Sequence, residues 1–124
     1  MATVHTDLED REVFQEVLDS NEGVIIIKFS AEWCGPCKLI SPYVKEFIST
    51  LPENVTFYDL DVDDNFEIYA YLKSKKMVTG IPTMLAYFKD NKTFASNECV
   101  SGTTKETYEA FFTKCIVESN SYKN

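Results

Sequence analysis

Trp33-Cys34-Gly35-Pro36-Cys37-Lys38 sets two thiols three residues apart, just beyond the apolar run Val24-Ile25-Ile26-Ile27-Lys28-Phe29-Ser30. A disulfide at that spacing closes a loop too short to remove much chain entropy from the unfolded state, so it is a poor staple. Its use lies in opening and closing. In thiol–disulfide exchange a thiolate attacks a disulfide sulfur, a mixed disulfide forms, and a second thiol held nearby resolves it ahead of any bimolecular competitor. Cys34 is the expected attacker, exposed at a helix N-terminus whose free N–H groups favour an anion and bring a thiol below its ordinary pKa of about 8.5. Cys37, one turn inside the helix, is the expected resolving thiol.

The 124 residues suit one domain, 1–124, with a core over about residues 6–118 and a polar tail, 119–124. Twelve Lys and Arg against twenty Asp and Glu give a net charge of −8, which repels phosphate backbones and anionic lipid. Nucleic acid and membrane are therefore not expected partners. The N-terminus has neither the cationic start nor the apolar run of a secretory signal, and no segment is long enough to span a bilayer, so a cytoplasmic location is expected. In a reducing compartment a C-x-x-C at a strand-to-helix junction reads as a redox pair. Zinc would need four ligands, and neither the distant Cys99 and Cys115 nor the single His5 completes such a set, so no metal is expected. Cys115 falls on an apolar helical face and reads as a small core residue, while Cys99 is either an exposed oxidisable thiol or a quiet one.

Residues 6–19 carry Val13, Phe14, Val17 and Leu18 on one helical face. Residues 24–30 form the pattern of a strand buried on both faces. From Cys34, Ile40, Val44, Phe47, Ile48 and Leu51 recur at helical spacing, with Pro42 inside the run to kink it. A strand over 55–61 follows, then a short helix to about residue 73, opened by capping-box spacing at Asp64-Asn65-Phe66-Glu67. Strands over 83–89 and 93–100 pair as a hairpin around a tight turn at Asp90-Asn91-Lys92. A second capping box, Thr103-Thr104-Lys105-Glu106, opens a last helix burying Tyr108, Phe111, Phe112, Cys115 and Ile116, after which the tail from Ser119 frays.

With Ala31-Glu32-Trp33-Cys34-Gly35-Pro36-Cys37-Lys38 at the junction and Gly80-Ile81-Pro82-Thr83 further on, the chain resembles the thioredoxin family over residues 6–118. The resemblance implies an α/β thioredoxin fold, a central mixed β-sheet flanked on both faces by helices. It also implies that Pro82 is a cis-proline facing the disulfide, that Trp33, Gly35 and Pro36 form a rigid apolar rim, and that Ile81 offers backbone N–H and C=O to an extended substrate. Ser101 and Gly102 would complete the docking surface, being small enough for close backbone approach. The departure is Lys28, which stands where thioredoxins usually carry a buried aspartate, while Asp59 takes a position where some relatives have lysine. An exchanged ion pair beneath Cys37 is expected, tuning proton transfer there; alternatively Lys28 snorkels to water.

The activity implied is that of a protein-disulfide reductase, a redox carrier in electron transport and cell redox homeostasis. Gly-Pro between the cysteines resembles the reducing members of the superfamily. The implied reductant is an NADPH-dependent thioredoxin reductase, the substrates disulfide-containing client proteins, the protein a monomer with no cofactor beyond the Cys34–Cys37 disulfide. The rival from another class is a binding subunit whose rim docks on a larger protein and whose thiols are incidental.

Overall fold

Seven residues from Val24 to Ser30, all but the last buried, make the central strand of a five-stranded sheet in a computed structural model that describes residues 2–123. Along the chain the elements are β1 (Thr3–His5), α1 (Arg11–Asp19), β2 (Val24–Ser30), α2 (Gly35–Ser49), β3 (Val55–Asp61), α3 (Phe66–Ser74), β4 (Thr83–Phe88), β5 (Glu98–Ser101) and α4 (Lys105–Ser121). The strand order is β1-β3-β2-β4-β5. β1 and β2 run parallel to β3, whereas β4 is antiparallel to β2 and β5 antiparallel to β4, so the sheet is mixed. Because β1, β2, β3 and β5 all point the same way, the four helices that follow them begin at one end of the sheet.

Side chains alternate across a strand, and β2 uses both faces. Ile25, Ile27 and Phe29 join Phe14 and Leu18 of α1 and Ile68 and Leu72 of α3 in one core cluster. Val24 and Ile26 join Ile40 and Val44 of α2 and Phe111, Phe112 and Cys115 of α4 in the other. Lys28 has the parity of Ile26. Pro42 lies inside α2, where it leaves the Lys38 carbonyl without the usual N–H donor. Among the described residues no helix is long and apolar enough to cross a membrane.

Several expected boundaries move. The first helix does not span residues 6–19: Asp10 caps it, accepting from the N–H groups of Glu12 (3.0 Å) and Val13 (2.9 Å), and Thr3–His5 instead extends the sheet beside Thr56–Tyr58. No capping box forms at residues 64–67. The Asn65 side chain turns away from α3, accepting from Leu8 N–H (2.9 Å) and donating to the carbonyls of Thr6 (3.3 Å) and Asp61 (3.1 Å). The box at residues 103–106 fails as well, Thr104 being the N-cap without a side-chain bond. α2 ends at Ser49, short of Leu51.

The hairpin pairs as expected but its turn is not tight. β5 begins only at Glu98, since Asn97 Oδ1 accepts from Phe88 N–H (2.8 Å) and Asn91 accepts from Thr93 N–H (2.9 Å) while donating to the Ala95 carbonyl (2.7 Å). Such local bonds compete with the strand ladder. The tail does not fray from Ser119: α4 continues to Ser121, Ser119 is fully buried with its carbonyl accepting from Asn54 Nδ2 (2.8 Å), and Tyr122 donates to Glu118 Oε2 (2.6 Å). Asn124 lies outside the described residues.

Asn65 thus ties the first connection to the end of β3 from a buried position. Asn65→Ala leaves Leu8 N–H without an acceptor, and a loss of about 1–3 kcal/mol is expected in urea unfolding. Asn65→Asp keeps that acceptor but sets a buried carboxylate oxygen against the Thr6 and Asp61 carbonyls, so at neutral pH it should lose at least as much.

Candidate active site

β2 delivers the chain into a turn closed by Cys34 N–H to the Ala31 carbonyl (3.1 Å), and α2 starts at once with Gly35-Pro36 in its first turn. Proline is tolerated there because its missing N–H has no helical partner to lose. Cys34 is the N-cap residue, in extended conformation, and its Sγ lies 3.2 Å from Cys37 N–H. Cys34 and Cys37 form a disulfide, with Cα atoms 5.3 Å apart. The expectation that Cys34 is the exposed member is corrected: each cysteine is 5% exposed. What separates them is helix position, Cys34 at the free N–H groups and Cys37 within the first turn.

The sheet register gathers the remaining residues at the same end. Thr83 pairs with both Phe29 and Ser101, so Pro82 and Gly102 fall just past the ends of their strands, level with the turn that carries the cysteines. The Ile81–Pro82 peptide is cis; Pro82 is buried and Ile81 partly exposed. Gly35, Pro36, Ser101 and Gly102 are exposed. Gly102 has φ +87°, a conformation a side chain would oppose. Two tyrosines not anticipated as site residues fix this loop: Tyr108 donates to the Gly102 carbonyl (2.8 Å) and Tyr43, from α2, to the Thr103 carbonyl (3.1 Å). Burial raises both phenols, with Glu106 adding to the effect at Tyr43 and Tyr43 and Cys99 at Tyr108.

Trp33 stands at the rim, 67% exposed, its Nε1 donating to Asp63 Oδ2 at 2.8 Å. Asp63 was also missed; the acidic run after β3 was the only hint. Lys28 and Asp59 are cross-strand neighbours with Nζ 3.2 Å from Oδ1. They line a cavity of about 210 Å³ with Cys37, Lys38, Ser41 and Asp61. Lys28 therefore pairs rather than snorkels. The pair is only partly shielded, the side chains being 11% and 43% exposed, so its desolvation and its strength are both smaller than for a fully buried pair.

The thioredoxin family model matches residues 4–114. The chain belongs to the thioredoxin family. It is 38% identical over 104 residues to rabbit (Oryctolagus cuniculus) thioredoxin, covering 83% of this chain and 90% of that protein. It is 41% identical over 87 residues to thioredoxin Asp f 29 of Aspergillus fumigatus, covering 68% and 74%. Among solved structures, Plasmodium falciparum thioredoxin superposes with a TM-score of 0.67 at 28% identity, over 93% of this chain and 90% of that one. With the Cys34–Cys37 disulfide in place, the thioredoxin relationship makes this chain a protein dithiol–disulfide oxidoreductase. Its chemistry runs on that disulfide without a bound cofactor; among the described residues no three His, Cys, Asp or Glu side chains group to hold a metal.

The other two thiols of the chain are quieter. Cys115 is fully buried in the cluster beneath α4, where burial, then Glu98, pushes its thiol up to about 12. Cys99 is exposed as a residue on β5, yet neighbouring atoms desolvate its sulfur and raise it as well. The thiolate is the reactive form, so a raised pKa slows both at neutral pH. Iodoacetamide at about pH 8 should modify Cys99 slowly and Cys115 only after unfolding, as followed by mass spectrometry. Equal rates at the two sites in the folded protein would contradict the burial of Cys115.

Proposed function

We propose that the protein is a reducing carrier in which Cys34 attacks client disulfides and Cys37 resolves the intermediate. The observation that carries this reading is Cys34 Sγ at the N-cap of α2, 3.2 Å from Cys37 N–H, where negative charge left on that sulfur by reduction is held by backbone donors. In the dithiol form, Cys34 thiolate attacks one client sulfur; a Cys34–client S–S bond forms, the client S–S bond breaks, and the departing client thiolate takes a proton. Cys37 thiolate then attacks Cys34 Sγ, re-forming the Cys34–Cys37 bond and releasing the second client thiol. Two electrons pass from the dithiol to the client.

Ile81 presents its backbone to an extended client segment beside Pro82, Ser101 and Gly102 allow the client backbone close, and Trp33, Gly35 and Pro36 supply the apolar rim. Lys28 places a cation in the cavity shared with Cys37, favouring the Cys37 thiolate, and Asp59 holds that ammonium in position. An NADPH-dependent thioredoxin reductase restores the dithiol. The setting is the cytoplasm, where thiols are kept reduced, and the role is electron transport and cell redox homeostasis by a monomer.

Reductase-coupled insulin reduction should vanish in Cys34→Ser, while Cys37→Ser, lacking the resolving thiol, should accumulate mixed disulfides with clients in a lysate. Retained turnover in Cys34→Ser would assign the reduction elsewhere, and an empty Cys37→Ser trap would favour a rim used only for permanent docking. Lys28→Met should slow resolution and move its pH dependence upward, because without the nearby cation Cys37 forms its thiolate only at higher pH. Overlaid pH–rate profiles would leave Lys28 a structural residue.

A further inference from the structure

The connection from β5 into α4 passes through residues 101–104, and all four are exposed. No buried side chain anchors it. A Cβ added at Gly102 would meet nothing within 4 Å, so packing does not hold the segment where φ reaches +87°, and Thr104 makes no side-chain cap bond. A segment with glycine at its centre and no anchor would sample many backbone states.

Two phenols supply the anchors. Tyr108 of α4 donates to the Gly102 carbonyl and Tyr43 of α2 to the Thr103 carbonyl, and among the described residues no other side chain bonds residues 101–103. The two rings brace each other, their centroids 5.9 Å apart. Packing alone does not call for hydroxyls: Phe111 and Phe112 fill the same cluster from the same helix without one, whereas the fully buried ring of Tyr108 carries an oxygen that needs a partner. Because burial raises both phenols, each stays a protonated donor through neutral pH. Tyr43 makes the tie consequential, since α2 is the helix that starts at Cys34 and contains Cys37.

We infer that Tyr43 and Tyr108 are positioning residues that hold the Gly102 segment in fixed relation to the Cys34–Cys37 bond, so that a polypeptide client meets a preformed surface at both. The inference rests on the proposed docking role of Ser101 and Gly102 and adds the residues that keep that loop in place. A loop that must be ordered at each encounter costs binding free energy, and one already ordered does not. The two ties are unequal. The Tyr108 bond is the shorter, at 2.8 Å, and is partly buried, whereas the Tyr43 bond, at 3.1 Å, is exposed, so water can take the place of its hydroxyl.

The test compares two substrates of the reduced full chain: insulin, a polypeptide disulfide, and 2-hydroxyethyl disulfide, which has no peptide segment to lay along the loop. Tyr108→Phe should lower the ratio of insulin to 2-hydroxyethyl disulfide rate constants about fivefold, the worth of one hydrogen bond, and Tyr43→Phe should lower it less. Tyr43→Phe, altered at the surface, carries the test should Tyr108→Phe fail to fold. Tyr71→Phe, which removes a phenolic hydroxyl from α3 on the opposite face of the sheet, should leave the ratio as it is. A tyrosine that served only the fold would lower the active fraction and slow both substrates alike, so a ratio held in either variant, or an equal drop in Tyr71→Phe, would overturn the inference. Ser101→Trp sets a bulky ring on the exposed side of the same segment and should also lower the ratio. A ratio unmoved by Ser101→Trp would instead sink the docking reading of the loop itself.

Discussion

β2 is hydrogen-bonded along both edges and buried on both faces, and that double confinement fixes where everything else can be. A strand so held cannot slip by one residue without turning Val24 and Ile26 out of one core cluster and Ile25 and Ile27 out of the other. Its register therefore determines where the chain leaves the sheet and becomes α2, and with it the position of both cysteines. The same register places Lys28 opposite Asp59, and the β4 pairing brings Ile81–Pro82 to the same end. The functional end of the molecule is a product of one strand's alignment.

Much of this was legible because the signals are local. The apolar run of β2, the periodicity of α2 and the thiol spacing each lie within a single segment, whereas the Lys28–Asp59 contact was expected from the family resemblance. What escaped the sequence depends on partners far along the chain. Three exposed residues, Thr3–His5, have no strand signature of their own and become a strand only because β3 offers an open edge. Asn65 stood in an expected capping box and Asn97 in an expected strand, yet each is recruited across a gap in the sequence. Trp33 was legible as a rim residue, whereas its partner Asp63 was one acidic residue among several until the fold set it 2.8 Å away.

Lys28 and Asp59 form an opposite-charge pair across two neighbouring parallel strands. A sheet accepts an opposite-charge pair across two strands whichever strand carries which sign. The cavity beside Cys37 does not, because here the cation is the more shielded partner and the carboxylate the one nearer solvent. Water therefore screens Asp59 more than Lys28.

All four helices start at the disulfide end, so their peptide dipoles turn their positive poles toward it. In α1, α3 and α4 a first-turn carboxylate, Glu12, Glu67 and Glu106, lies against that pole. α2 has no acidic residue in its first turn. In a chain with a net charge of −8 it is, among the described residues, the one helix whose positive pole faces a sulfur instead of a first-turn carboxylate. The molecule has left an electrostatic vacancy at that pole, and two-electron reduction of the disulfide is what fills it.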